Sequence, residues 1–200
     1  MTNDIAGVVL AGGSNSRFNN IIKSKIEICG VPVINRILNT IRPVFSEILI
    51  ITNTPDEFID ITDVRFSGDS FLKKGPLGGI HAALKTSSCD AVFVFAGDMP
   101  LLDRTLIIKL LEDYRASSCD ILIPRIEENI EPLHAIYSSA VFPVLGNYLL
   151  RDENYAVRDF IALMNVRYSD LDSTAENKRA FSNINTPEDK MLIEEILKKY

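Results

Sequence analysis

The chain has 200 residues, of which 46% are apolar and 24% charged, with a formal net charge of −6. That composition suits one globular unit over residues 1–200 with a sizeable core, and the acidic balance argues against a broad nucleic-acid surface, which needs a basic face. No apolar run is long enough to span a bilayer and the N-terminus lacks a secretory pattern, so the expectation is a cytoplasmic protein without membrane or nucleic-acid partners.

The elements follow in order. Ile5 to Leu10 is an apolar run that reads as a buried strand. It ends in a small-residue loop, Ala11-Gly12-Gly13-Ser14-Asn15-Ser16-Arg17, with Lys23 six residues further on. Glycines without a Cβ let backbone N–H groups approach phosphate oxygens, and Arg17 and Lys23 add the charge that phosphate anions need. This is neither a Walker A loop, which closes on Gly-Lys-Ser/Thr, nor the dinucleotide fingerprint Gly-x-Gly-x-x-Gly. After Gly30-Val31-Pro32, the apolar spacing of Val33, Ile34, Ile37, Leu38 and Ile41 predicts an amphipathic helix.

Ile48 to Ile51 is a β-branched run followed by Asn53, and Asp69 lies in a polar loop after Val64-Arg65-Phe66. Gly75-Pro76-Leu77-Gly78-Gly79 reads either as a loop pressing its backbone on a flat base or as a plain turn, with a helix from about His81. Ser87-Ser88-Cys89-Asp90 and Ser117-Ser118-Cys119-Asp120 are matching loops that enter strands. The three cysteines have no metal-ligand spacing and read as free thiols.

Val92 to Phe95 is the most apolar strand, and Asp98 follows it in Gly97-Asp98-Met99-Pro100. A carboxylate there suits Mg²⁺, which takes hard oxygen ligands and bridges substrate phosphates; Asp103 reads as a plain helix cap. Leu106, Ile107, Leu110 and Leu111 repeat the helical spacing. Ile121 to Ile123 is a third dense strand, Arg125 at its end reads either as a plain exposed arginine or as a contact for an anionic second substrate, and Leu133 to Tyr137 is a further strand candidate. Asn183 and Asn185 alternate along a short extended segment, and Thr186-Pro187-Glu188-Asp189 opens the last helix. Both histidines, His81 and His134, read as structural. Apolar strands with helical crossovers indicate an α/β fold: a Rossmann-like three-layer domain with a mainly parallel sheet, whose ligands bind beyond the strands' carboxyl ends.

Taken together, Leu-Ala-Gly-Gly-x-x-x-Arg with Lys23 and Gly30-x-Pro32, Gly75-Pro76-Leu77-Gly78-Gly79, Asp98-Met99-Pro100, Pro132-Leu133-His134-Ala135-Ile136-Tyr137 and Asn183-Ile184-Asn185-Thr186-Pro187-Glu188-Asp189 resemble the molybdenum cofactor guanylyltransferases. The resemblance covers nearly the whole chain. It implies transfer of GMP from GTP to the terminal phosphate of molybdopterin, with release of pyrophosphate, on a nucleotidyltransferase fold. It further implies nucleotide contacts at Leu10, Ala11 and Gly13, phosphate neutralisation by Lys23, reading of guanine by Asn53 and Asp69, Mg²⁺ on Asp98 and pterin entry near Asn183 and Asn185. Family members also pass their product to other cofactor-maturation proteins. The chain departs from the pattern at Arg17-Phe18-Asn19, where Arg-Met-Gly is usual, and at Ile22, where an acid is usual, which leaves Lys25 a rival to Lys23. The alternative readings are a cytidylyl or sugar-1-phosphate transferase and a non-catalytic nucleotide-binding domain.

Overall fold

A computed structural model describes residues 5–12, 14–15, 21–151 and 156–199. Strand β1 (Ile5–Leu10) is followed by two short ribbons, β2 (Ser14–Asn15) with β3 (Ile21–Ile22) and β4 (Glu27–Ile28) with β5 (Val31–Pro32). Helix α1 (Val33–Ile41) buries the five apolar positions that its spacing marks. Then come β6 (Ile48–Ile51), β7 (Arg65–Ser67), α2 (Gly75–Thr86), β8 (Ala91–Ala96), α3 (Arg104–Arg115), β9 (Ile121–Ile126), β10 (Asn129–Ile130), β11 (His134–Ser138), α4 (Val141–Leu149), α5 (Val157–Ile161), β12 (Val166–Leu171), α6 (Ala175–Ala180) and α7 (Pro187–Leu197). No helix among the described residues is long and apolar enough to cross a membrane.

The main sheet runs β10-β9-β11-β8-β1-β6-β7, with β12 beside β9. Strand β1 pairs in parallel with β6 on one side and β8 on the other, so the chain turns back across it. A topological switch of that kind opens a crevice at the carboxyl ends of the flanking strands. Alternate residues face two cores. Ile5, Val9, Phe93 and Phe95 pack with α1 and α3 on one face, while Ala6, Val8, Val92 and Val94 pack with α2 and α4 on the other. Both faces are therefore covered, as the continuous apolar runs require.

The run Leu133 to Tyr137 does contain a strand, β11, which lies antiparallel between β8 and β9 in the otherwise mainly parallel sheet. It returns from β9 through a short hairpin connection, which forces that direction; burial on both faces gives it the same apolar look as its parallel neighbours. Helix α2 begins at Gly75, six residues before His81. Pro76 suits a helix start, and Gly78 and Gly79 lack side chains because Asp69 and Leu10 press against them. Tertiary contact thus outweighs the poor helix propensity of glycine.

The two cysteine loops do enter β8 and β9, and all three cysteines are free thiols. Cys89 N–H donates to Ser87 Oγ at 3.1 Å, and Ser117 Oγ lies 3.1 Å from Cys119 Sγ. His81 sits within α2 between Phe71 and Phe142. His134 is wholly buried, edge-on to Phe93, Phe95 and Phe181, and neither ring nitrogen has a partner. Burial pushes its pKa down to about 3. The unfolded chain takes up a proton on this histidine below about pH 6.5 and the folded chain does not, so stability falls as the pH drops through that value. Between pH 7 and pH 5 this residue alone is expected to remove about 2 kcal/mol. Urea unfolding of the wild type and His134→Leu at both pH values checks it: the variant's pH dependence is expected to be shallower by that amount, and equal slopes would refute the assignment.

Candidate active site

A cavity of about 520 Å³ opens at the carboxyl ends of β1, β6 and β8. Its floor depends on Gly97. A Cβ at that position would lie 2.7 Å from the Leu10 carbonyl oxygen and 3.1 Å from Ala11 Cα. Gly97 N–H instead donates to Leu10 O at 3.0 Å, and Ala11 N–H donates to Ile51 O at 3.0 Å. The backbones of the first loop and of the Asp98 loop are thereby drawn together. Leu10, Ala11 and Gly12 line the cavity; Gly13 and Arg17 lie outside the described residues.

Lys23 closes one end of the cavity. Its Nζ donates to Asp98 Oδ2 at 2.8 Å and to Asn185 Oδ1. Lys25 instead pairs with Glu57 at 2.5 Å, and of the two lysines Lys23 is the one that lines the cavity. Asn185 reaches this point because its segment is held twice. Ile184 N–H donates to Asp98 O at 3.0 Å, and Asp189 Oδ2 accepts from the N–H groups of Asn185 and Thr186 at 2.8 and 2.9 Å. Those hydrogen bonds, the Asn185 N–H foremost, hold the Asp189 carboxyl below its ordinary pKa.

At the other end stand Asn53 and Asp69. Asn53 Oδ1 accepts from Asp69 N–H at 2.8 Å, and Asp69 Oδ1 accepts from Phe71 N–H at 2.7 Å. The other carboxylate oxygen lies against Gly78, where a Cβ would be only 2.5 Å away. Burial raises the Asp69 pKa, with the Phe71 N–H opposing. Gly75 and Pro76 line the cavity, but Leu77 does not: it is fully buried in the core, because α2 starts early and turns that side chain inward. Lys73 and Ser24 also line the cavity and no sequence motif marked them. Lys73 holds a positive φ of 65°, the kind of backbone strain that collects at binding loops.

A second cavity, of about 380 Å³, adjoins the first and shares Ala96, Asp98 and Leu133 with it. Asn183 and Asn185 both line it, as their alternation predicts, together with Glu131 and Arg158, which sequence reading missed. Arg125 lines neither cavity. Its guanidinium grips Asp170 through two hydrogen bonds of 2.6 and 3.1 Å across the β9–β12 pair and stacks over Tyr168, so its charge is spent on the sheet edge.

A bipartite crevice with a lysine–carboxylate contact at the junction suits the transfer of a phosphate-linked group between two ligands. The family model for MobA-like NTP transferase domains matches residues 7–170. The chain belongs to this family. It is accordingly a nucleotidyltransferase, with the fold that its sequence pattern indicates. It is 32% identical to a probable molybdenum cofactor guanylyltransferase of Natranaerobius thermophilus over 197 residues, 94% of each chain. A Methanosarcina mazei protein of the same description is also 32% identical, over 92% of this chain and 87% of its own. Among solved structures, molybdopterin-guanine dinucleotide biosynthesis protein A of Archaeoglobus fulgidus matches with a TM-score of 0.84 at 26% identity, covering 98% of this chain and all of that one.

For this nucleotidyltransferase, Gly97→Ala is expected to separate β1 from the Asp98 loop and lower stability by about 1–3 kcal/mol. Gly12→Ala, whose added methyl meets nothing within 4 Å among the described residues, is expected to leave stability unchanged. Urea denaturation of the two variants checks the contrast; equal effects would show that the close approach at Gly97 is not a constraint.

Proposed function

We propose that this protein transfers GMP from GTP to the terminal phosphate of molybdopterin, releasing pyrophosphate in a Mg²⁺-dependent reaction. The observation that carries the reading is the meeting of two cavities at Asp98, one for a donor nucleotide and one for an acceptor. The names of the relatives support the choice of substrates. The free thiols suit a reducing, cytoplasmic compartment.

The Asp69 carboxylate, partly withdrawn from water, accepts hydrogen bonds from the N–H edge of guanine, an edge that cytosine and uracil do not present. Asn53 holds that carboxylate's backbone in place. Lys23 has three N–H donors, of which Asp98 and Asn185 take two, and the third serves a phosphate oxygen. Arg17, carried by the glycine loop, takes the leaving pyrophosphate. The acceptor's phosphate is already a competent nucleophile, so alignment and charge neutralisation suffice, with no covalent enzyme intermediate.

The residues present fit a divalent ion. Among the described residues no group of three or more His, Cys, Asp or Glu side chains gathers as a protein cage. A single carboxylate at a phosphate site is what Mg²⁺ asks for when substrate supplies the remaining oxygens. Asp98 would hold it, and the ion, when bound, would neutralise charge on the phosphates.

Pyrophosphate release from GTP in the presence of molybdopterin and Mg²⁺ tests the reading. Transfer with GTP, and not with CTP, UTP or ATP, is the expected result; preference for CTP would overturn it. Asp98→Asn is expected to lower kcat/KM roughly 10²- to 10³-fold with the fold retained. Lys23→Ala is expected to impair turnover strongly and Lys25→Ala hardly at all. A nearly active Asp98→Asn protein would remove the metal role.

A further inference from the structure

The second cavity carries a hydrogen-bond acceptor that the protein leaves unused. Asn183 Oδ1 is out of contact with water and has no partner. Glu131 is half-buried and lines the same cavity, and burial raises the pKa of its carboxyl. A buried acceptor such as the Asn183 oxygen is satisfied in nearly all folded proteins, which makes its vacancy a demand for a donor from a ligand, and the half-buried Glu131 carboxylate lining the same cavity offers acceptors beside it.

Glu131 is also held rigidly. Its N–H donates to Pro124 O at 3.1 Å, and its carbonyl accepts from His134 N–H at 3.0 Å. The buried Tyr137 hydroxyl donates to Pro132 O at 2.7 Å, and Leu133 O accepts from Ala96 N–H at 2.9 Å. This turn is therefore tied to β8, β9 and β11 at four points, as a preorganised recognition element should be. Arg158, across the same cavity, favours the ionised form of Glu131 against the burial that raises its pKa.

We propose that Glu131, with the Asn183 carbonyl oxygen, is the specificity-determining end of the acceptor cavity and takes the N–H-rich 2-amino-4-oxo edge of a pterin ring. The acceptor's phosphate then lies at the opposite end, toward Asp98 and Lys23. The assignment rests on the guanylyl-transfer reading, which requires a phosphorylated pterin in this cavity. Its chemistry is that of the guanine edge at Asp69: a carboxylate facing adjacent N–H donors accepts from both, and is repelled when a carbonyl replaces the amino group.

The test is fluorescence titration of the full chain with 6-hydroxymethylpterin and with its 2-oxo counterpart, 6-hydroxymethyl-lumazine, in the presence of Mg²⁺ and a non-hydrolysable GTP analogue. The wild type is expected to prefer the pterin at least tenfold, the scale of one charge-assisted hydrogen bond. Glu131→Gln, whose amide also donates, is expected to bind the pterin roughly tenfold more weakly and to lose the preference over lumazine. A merely structural role for Glu131 would weaken both ligands alike. Unchanged preference in the variant, or no pterin binding by the wild type, would overturn the proposal. GMP transfer to molybdopterin is scored on the same preparations. Transfer without pterin preference would overturn the Glu131 assignment and leave guanylyl transfer standing, whereas preference without transfer would overturn guanylyl transfer and leave the pterin site standing.

Discussion

The site depends on how closely the carboxyl ends of β1 and β8 approach each other. Gly97 donates to the Leu10 carbonyl at 3.0 Å, in a space where any side chain would collide with backbone. That contact places the first loop and the Asp98 loop on one floor. It arises because β1 is flanked in parallel by β6 and β8, so three strand ends open toward the same crevice. The helices above and below make this placement stiff, since both sheet faces are packed by apolar side chains.

Within that frame, charge is arranged at the junction rather than spread along the cavities. Lys23 and Asp98 form a contact at 2.8 Å although 75 residues separate them, and Asn185 comes from still further along the chain. The side chains remain partly open, with 26% and 17% of their surfaces exposed. Such a pair contributes little to stability. It leaves a cation and an anion ready beside incoming phosphates, the requirement for a transfer governed by alignment and electrostatics. The groups proposed for recognition are divided between the cavities: Asp69 lines one, Glu131 and Asn183 the other.

Much of this was legible in the chain. Helix α1 begins and ends where its apolar spacing places it, because a 3.6-residue period survives any tertiary context that buries one face. The start of α7 was readable from Thr186 as N-cap and Pro187 behind it, being a local device, whereas the reciprocal bond from the Asp189 side chain came only with the structure. Leu10, Ala11, Gly12, Lys23, Asn53, Asp69, Gly75, Pro76 and Asp98 all line the first cavity, and Asn183 and Asn185 the second. Other features were not legible. The direction of β11 depends on its connection and not on its composition. The start of α2 depends on what its glycines touch. Arg125 looked available because Asp170, its partner, lies 45 residues away.

The strand and helix periods, the α/β class, the small-residue loops and the acidic residue after the central strand are all written in the order of residues along the chain. Each of these follows from local sterics and from which residues tolerate burial. Which of two lysines meets Asp98, the inward turn of Leu77 and the facing of Glu131 onto a cavity came instead from the packing of the folded chain. Those outcomes depend on contacts between distant segments, where the choice lies with packing geometry and the pairing of charge rather than with any residue's own preference.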